Sequence, residues 1–183
     1  DWLPRAENAF TPALCNRIDR NTGGIVIAAK TAEALRVLNQ KIKDREMDKR
    51  YFAIVEGTPK PREGSLKGYL FKDAKKNRVF VTDTPQPGAK TCQTNYKVLA
   101  SGNGLSLVEC QLITGRTHQL RVHCAHMGWP ILGDPQYGSG ASLDFSRMHG
   151  LTRQQLCAKS LEFDHPITGE PLYFRSKMDV AEL

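Results

Sequence analysis

An aspartate between two arginines is the first feature of the sequence that could carry chemistry. Asp19 lies in the stretch Asn16-Arg17-Ile18-Asp19-Arg20-Asn21-Thr22-Gly23-Gly24. The Asn, Thr and Gly residues predict a tight turn, and the apolar run 25–29 predicts a strand after it. Asp19 would then lie at the mouth of a sheet, where cationic neighbours favour its ionised form. Such a carboxylate could attack an electrophile or accept a proton, although a self-capping turn with solvated arginines explains the same residues.

A second candidate stretch runs from Gly115 to His123 and contains two arginines and two histidines. Arg116 lies at a predicted strand-to-helix junction, from which a side chain can project into a cleft. One interpretation is an ordinary structural ion pair. The other is a buried Arg116–Asp19 pair, which would keep the carboxylate ionised and fix its direction.

The histidines of this region invite a metal-site interpretation. His118, His123 and His126, with Cys124, are spaced poorly for three ligands on one helix face, and no His-Glu-x-x-His motif occurs. We therefore expect no metal. A metal-dependent hydrolase that uses the three histidines and Asp134 remains an alternative. No glycine-rich nucleotide loop precedes a helix, since Gly23 and Gly24 precede a predicted strand.

Composition limits the class of protein. The 183 residues predict one domain over 1–183. Lys and Arg number 26 against 19 Asp and Glu, so the net charge of +7 favours a polyanionic partner, nucleic acid first. The five cysteines are scattered without a Cys-x-x-Cys pair, which indicates reduced thiols and a cytoplasmic protein. No apolar run is long enough for a membrane span.

The spacing of apolar residues predicts many strands and two helices. Helices are predicted over 31–46 and 117–127, and residues 139–150 are predicted to form a polar loop. The segment 49–57 is apolar on both faces, so we expect it to be central in its sheet. A strand is predicted over 25–29, and a pair of strands joined by the basic loop 72–77 is predicted within 65–83. The remaining strands are predicted over 91–99, 105–113, 156–163 and 171–175. The pattern predicts an α+β fold with a mixed, largely antiparallel sheet.

Three ordered motifs resemble the RluA-type pseudouridine synthases, from about residue 14 to the end of the chain. The Asp19 stretch resembles the family motif His-Arg-Leu-Asp-x-x-Thr-Ser-Gly. Residues 49–57 match Lys-x-Tyr-x-Ala-x-Val-x-Gly, and residues 115–123 match Gly-Arg-Thr-His-Gln-Leu-Arg-Val-His. The last motif continues, as in the family, through the stretch from His126 to Gly138.

The resemblance implies that the protein isomerises uridine in ribosomal or transfer RNA to pseudouridine, without cofactor or metal. It implies a central cleft with Asp19 as the catalytic aspartate, together with Tyr51 and Arg116. Tyr51 would stack on a flipped-out uracil. Substrate-binding roles are implied for Arg17, which would fill the gap left by the flipped nucleotide, and for Leu120, Thr22 and Lys49. We expect a cytoplasmic monomer.

Departures from the family pattern leave a rival interpretation. Asn16 replaces the usual His, and Gly23 replaces the usual Ser. The family's preceding strand with its Lys-Pro-x-Gly turn is absent, as is an S4-type domain, so we expect an N-terminal strand region to be missing. A non-catalytic RNA-binding relative is therefore the alternative to an enzyme.

Overall fold

The computed structural model describes residues 10–73, 76 and 78–180. In these ranges, an eight-stranded sheet, a two-stranded sheet and three helices form the fold. The strands are β1 (Ala13–Leu14), β2 (Gly23–Gly24), β3 (Ala28–Ala29), β4 (Asp48–Glu56), β5 (Glu63–Asp73), β6 (Arg78–Thr82), β7 (Lys90–Gly102), β8 (Leu105–Leu112), β9 (Leu156–Asp164) and β10 (Pro171–Arg175). The helices are α1 (Ala32–Asp44), α2 (Gln119–His126) and α3 (Gly140–Met148).

The large sheet confirms the predicted α+β class with a mixed, largely antiparallel sheet. Its strand order is β10-β9-β4-β8-β7-β5-β6, with every neighbouring pair antiparallel. The short strand β2 adds the one parallel pairing, against β9. Residues 74, 75 and 77 of the predicted basic loop, and the first nine residues, lie outside the described part of the chain.

Strand β4 lies at the centre of the sheet, as its two apolar faces predicted. It pairs with β8 on one side and β9 on the other. Tyr51, Ala53 and Val55 share one face and are buried in the main core with Val108 and Leu120. This core also supports the face of the sheet on which the candidate site lies.

Helix α1 confirms the prediction over 31–46, with its ends shifted by one or two residues. Thr31 caps it by accepting a hydrogen bond from the Ala34 backbone N–H at 3.1 Å. Leu38 is buried against Leu161 and Phe163 of β9. The helix ends at Arg45, which adopts a left-handed backbone conformation (φ 64°).

Helix α2 begins later than predicted. The predicted helix starts at residue 117, where Thr117 could cap it, but the first helical residue is Gln119. His118 precedes it with φ 54° and no capping hydrogen bond from its side chain. The buried Gln119 side chain replaces the cap: its Oε1 accepts from the Arg116 backbone N–H at 3.1 Å and from the Thr114 hydroxyl at 2.8 Å. This bonding fixes the strand-to-helix junction.

Two predicted segments differ in the structure. Residues 139–150 contain helix α3 instead of a loop, because Ser139 caps the first turn and Ser146 Oγ bonds the Ser142 carbonyl at 2.6 Å. The strand predicted over 25–29 is reduced to Ala28–Ala29. Among the described residues, no helix is long and apolar enough to cross a membrane.

Candidate functional site

A cleft of about 280 Å³ opens on the Tyr51 face of the sheet, between the Asp19 turn, β4 and the start of α2. All seven residues predicted for catalysis or substrate binding line it. They are Arg17, Asp19, Thr22, Lys49, Tyr51, Arg116 and Leu120. Three segments far apart in the sequence thus meet at one cavity.

The Asp19 turn is held rigidly. The Asp19 carbonyl accepts the Thr22 N–H at 3.0 Å, and Asn21 has φ 68°, a conformation that asparagine tolerates. The buried Gln154 donates to the Arg20 carbonyl at 2.7 Å and lies 3.2 Å from Thr22 Oγ1. The predicted tight turn is confirmed, and buried polar contacts fix its position.

Asn16 and Gly23, the two residues that differ from the family motif, both lie in ordered backbone here. The Asn16 side chain accepts a hydrogen bond from the Ile27 N–H at 2.8 Å and so closes the loop that carries Asp19. Gly23 belongs to β2, which pairs with β9 beside it. The next residue, Gly24, has φ 108°, and a Cβ there would lie 2.2 Å from the Ala158 carbonyl oxygen. Both departures therefore leave the loop ordered.

The arginine that faces Asp19 is Arg121, not Arg116. Arg121 Nη1 lies 3.7 Å from Asp19 Oδ2, and the aspartate side chain is 21% exposed. The Arg116 guanidinium instead donates through Nε to the Thr91 carbonyl oxygen at 3.2 Å. Arg116 still lines the cleft, but the predicted Arg116–Asp19 ion pair does not form.

Arg121 is itself held by a buried carboxylate. Its Nε and Nη2 donate to Asp134 at 2.7 and 2.9 Å, and the Asp134 side chain is fully buried. Asp134 also accepts the backbone N–H groups of Gln136 and Tyr137, at 2.9 and 3.1 Å. Burial disfavours the guanidinium charge, but Asp134 and then Asp19 offset this and raise the pKa of Arg121.

Tyr137 packs against the same guanidinium, with Arg121 Cζ 5.1 Å from the ring centroid. Its hydroxyl accepts the Val79 N–H at 3.1 Å and lies 2.9 Å from His118 Nδ1. Sequence reasoning missed the roles of Arg121 and Tyr137 and considered Asp134 only as a metal ligand. The available signal was the Gly-Asp-Pro turn, which places a carboxylate near the second arginine of the motif.

Tyr51 lies on β4 with its side chain directed into the cleft. The register between β4 and β9 shifts at Arg50/Tyr51, an irregularity that can re-aim a side chain next to a functional site. Burial raises the Tyr51 pKa to about 12, and the negative charge of Asp19 adds to this effect. The phenol is therefore neutral at physiological pH. Lys49, two residues earlier, has its pKa lowered by burial.

The histidines considered as metal ligands point to separate partners. His123 is buried, with Nδ1 3.0 Å from Thr94 Oγ1 and Nε2 3.2 Å from Cys92 Sγ. His118 contacts Tyr137, and His126 contacts Asp83 at 3.2 Å. In the described ranges, no group of three His, Cys, Asp or Glu residues could hold a metal ion. The arrangement offers a carboxylate, a guanidinium and an aromatic ring as the chemical groups of the cleft.

Comparisons with known proteins place these features in a family context. Residues 3–126 match the family model described as RNA pseudouridylate synthase. The Bacillus subtilis protein named "Uncharacterized RNA pseudouridine synthase YlyB" is 37% identical over 183 residues, which cover 99% of this chain and 57% of the relative. Ribosomal large subunit pseudouridine synthase C of Escherichia coli is 36% identical over 171 residues, which cover 91% and 52%.

A similar fold occurs in a solved human structure. The human RNA pseudouridylate synthase domain containing 1 superposes with a TM-score of 0.77 at 25% identity, covering 92% of this chain and 69% of that one. The present chain spans a little over half the length of the curated relatives it matches.

The buried ion pair predicts a large stability effect. Asp134→Asn should lower the free energy of unfolding by about 3–5 kcal/mol, because it leaves the buried Arg121 charge without its bidentate partner. Urea unfolding followed by tryptophan fluorescence measures this change. The matched control is Asp144→Asn, which breaks the exposed Arg147–Asp144 pair and should change the value by less than about 1 kcal/mol. Equal effects of the two substitutions would contradict the assignment.

The buried histidine predicts acid sensitivity. Burial, with a smaller effect of the nearby His126, lowers the His123 pKa to about 4 from an ordinary 6.5. Between these pH values the unfolded chain binds a proton that the folded protein does not, so stability falls as the pH is lowered. This group alone should account for a loss on the order of 3 kcal/mol between pH 7 and pH 4.

Urea unfolding at each pH tests this effect with two variants. His123→Gln should show a shallower decline of stability with acid, whereas the exposed control His149→Gln should decline as the unsubstituted protein does. Identical pH profiles for all three proteins would show that His123 does not cause the effect.

Proposed function

Because the chain belongs to the RNA pseudouridylate synthase family, we propose that it isomerises uridine in RNA to pseudouridine. In this reaction the N1–C1′ glycosidic bond breaks, a C5–C1′ bond forms, the hydrogen on C5 leaves as a proton, and N1 takes up a proton. The observation that supports the proposal most directly is that Asp19 and Tyr51 line one cleft and that the Arg121 guanidinium lies 3.7 Å from Asp19. Family membership without these groups in place would not support catalysis.

Asp19 is proposed as the catalytic aspartate. The Arg121 guanidinium, 3.7 Å from Oδ2, limits the orientation of the carboxylate, while 21% exposure leaves it accessible from the cleft. An ionised carboxylate is required whether it attacks C1′, attacks the uracil ring or removes a ribose proton. All three routes begin from the same geometry, in which the target nucleotide enters the cleft with its glycosidic bond facing Asp19.

Tyr51 is proposed to hold the uracil ring. Its buried ring offers a flat surface in the cleft, and base–aromatic stacking contributes about 1–3 kcal/mol per base. Because burial and the Asp19 charge keep its hydroxyl protonated, the phenol can also donate a hydrogen bond during proton transfer. Leu120 adds an apolar surface to the floor of the cleft.

The substrate is proposed to be ribosomal or transfer RNA from which the target uridine is flipped. Extruding a base costs a few kcal/mol, which stacking and backbone contacts offset. Arg17 is exposed at the cleft, two residues before Asp19, and would fill the space that the base leaves. Several relatives are named as ribosomal large subunit synthases, which favours ribosomal RNA. Thr22 and Lys49 complete the proposed binding surface.

Replacing the aspartate tests the proposed chemistry. Asp19→Asn should bind RNA as tightly as the unsubstituted protein but lower turnover at least about a hundredfold, since general acid–base groups contribute that much or more. Tritium release from ribosomal RNA transcribed with 5-tritiated uridine measures turnover. Asp144→Asn, an exposed change outside the cleft, should leave it unchanged. Substantial release by Asp19→Asn would overturn the assignment, and RNA binding without release by the unsubstituted protein would favour the non-catalytic alternative.

Two substitutions of the tyrosine separate stacking from hydroxyl chemistry. Tyr51→Phe keeps the ring and should lower the tritium-release rate less than Tyr51→Ala does. Loss of the ring should cost roughly ten- to a hundredfold, which corresponds to the free energy of stacking on one base. If the two variants lose activity equally, the hydroxyl is essential and stacking is not the main role.

A further inference from the structure

Two shallow clefts adjoin the candidate active site and share one wall with it. The first lies between the end of α1 and the end of β8, and its lining includes Lys43, Arg45 and Lys49. The second lies beside the β5–β6 hairpin, and its lining includes Lys72 and Lys90. Gly115 and Arg116 belong to both, and also to the cleft that contains Asp19. The three cavities therefore form a continuous path through Arg116.

Positive charge dominates this path. The linings of the two flanking clefts contain Lys, Arg and apolar or small polar residues, but no Asp or Glu. Throughout the described chain, none of the flanking cations Lys43, Arg45, Lys72, Lys90 and Arg116 takes part in an ion pair. Their charge is available to an external anion.

The cleft on the opposite face of β4 differs from the two flanking clefts in the charge of its lining. Three acidic residues balance three basic ones in its lining: Asp48, Glu109, Glu162, Arg50, Lys159 and Arg175. Arg50 pairs with Asp48 and Glu109, both at 2.9 Å, and Lys159 pairs with Asp179 at 3.3 Å. Two of the three cations in that lining are paired with carboxylates, whereas the cations of the flanking clefts form no ion pair among the described residues.

Arg116 is oriented for an anion at the junction of the clefts. Its backbone N–H is held by Gln119 Oε1 and its Nε by the Thr91 carbonyl. Within the described ranges the two terminal nitrogens have no hydrogen-bond partner. A guanidinium presented in this way suits bidentate contact with a phosphate group.

We propose that the sugar–phosphate backbone of a single RNA strand runs through both flanking clefts, with Arg116 contacting the phosphate next to the target nucleotide. The inference rests on the proposed function, because a flipped uridine in the Asp19 cleft must have its backbone leave on two sides. It assigns Arg116 to substrate positioning, whereas Arg121 orients the carboxylate. Lys43 and Arg45 bind one flank of the strand, and Lys72 and Lys90 bind the other.

Salt-dependent binding of a single-stranded oligouridylate tests the path. Each phosphate contact to a single strand contributes about 0.7 to the slope of log K against log salt concentration. The double variants Lys72→Gln/Lys90→Gln and Lys43→Gln/Arg45→Gln should each weaken binding severalfold and reduce the slope by about 1.4. The matched control is Lys67→Gln, because Lys67 lies on β5 but, by strand alternation, on the face opposite Lys72. A control that weakens binding as much as the double variants, or unchanged slopes in all variants, would overturn the proposal.

Steady-state tritium release separates positioning from chemistry. Arg116→Ala should raise KM severalfold with kcat largely retained, whereas Asp19→Asn should lower kcat. A collapse of kcat with unchanged KM in Arg116→Ala would overturn the positioning role. The two proposals can fail separately. If the cleft variants weaken RNA binding but the unsubstituted protein turns over no RNA, the proposed isomerase function is wrong and the strand path stands. Turnover with unaltered binding by the cleft variants refutes the strand path alone.

Discussion

The bidentate pair between Arg121 and Asp134 is the interaction on which the site depends. Both side chains are almost fully buried, with 7% and 0% exposure, so neither charge is tolerable without the other. Asp134 is fixed in turn by two backbone N–H groups and Arg121 by the Tyr137 ring. Two of the three guanidinium nitrogens are thereby occupied, and Nη1 alone faces Asp19. One rigid cation thus ties the loop that carries the aspartate to helix α2.

The distribution of carboxylates, more than that of lysines and arginines, distinguishes the two faces of the sheet. Basic residues occur on both, but on the face away from the cleft Asp48 and Glu109 pair with Arg50, and Asp179 pairs with Lys159. The flanking clefts have no such partners in their linings. Unpaired positive charge therefore lines the two flanking clefts. Among the described residues, Asp19 is the single carboxylate in the lining of the cleft between them.

Much of the fold could be predicted from sequence, because helix periodicity, caps and tight turns depend on residues that are close together in the chain. Periodicity predicted α1, which Thr31 caps in the structure, and it predicted the two strands β7 and β8. These two strands are joined by the Asn103-Gly104 turn, with φ of 52° and 77°, residue types that favour a hairpin. Helix α3 escaped prediction because serines usually favour loops, yet Ser146 also accepts the Gly133 N–H at 2.9 Å, a contact from outside the helix. The strand over 25–29 is shortened because Asn16 takes the Ile27 N–H that a strand ladder would use.

The sequence by itself determined which residue types could do the chemistry, the motifs that carry them and the basic character that favours RNA. It placed all seven predicted site residues in what the structure shows to be one cleft. Only the tertiary structure decided which arginine faces Asp19. Arg116 precedes the first turn of α2 and Arg121 lies within it, and a helix rotates by about 100° per residue. Which side chain meets a distant aspartate therefore depends on how α2 packs and on a buried carboxylate in the turn beyond it, long-range contacts that no local pattern encodes.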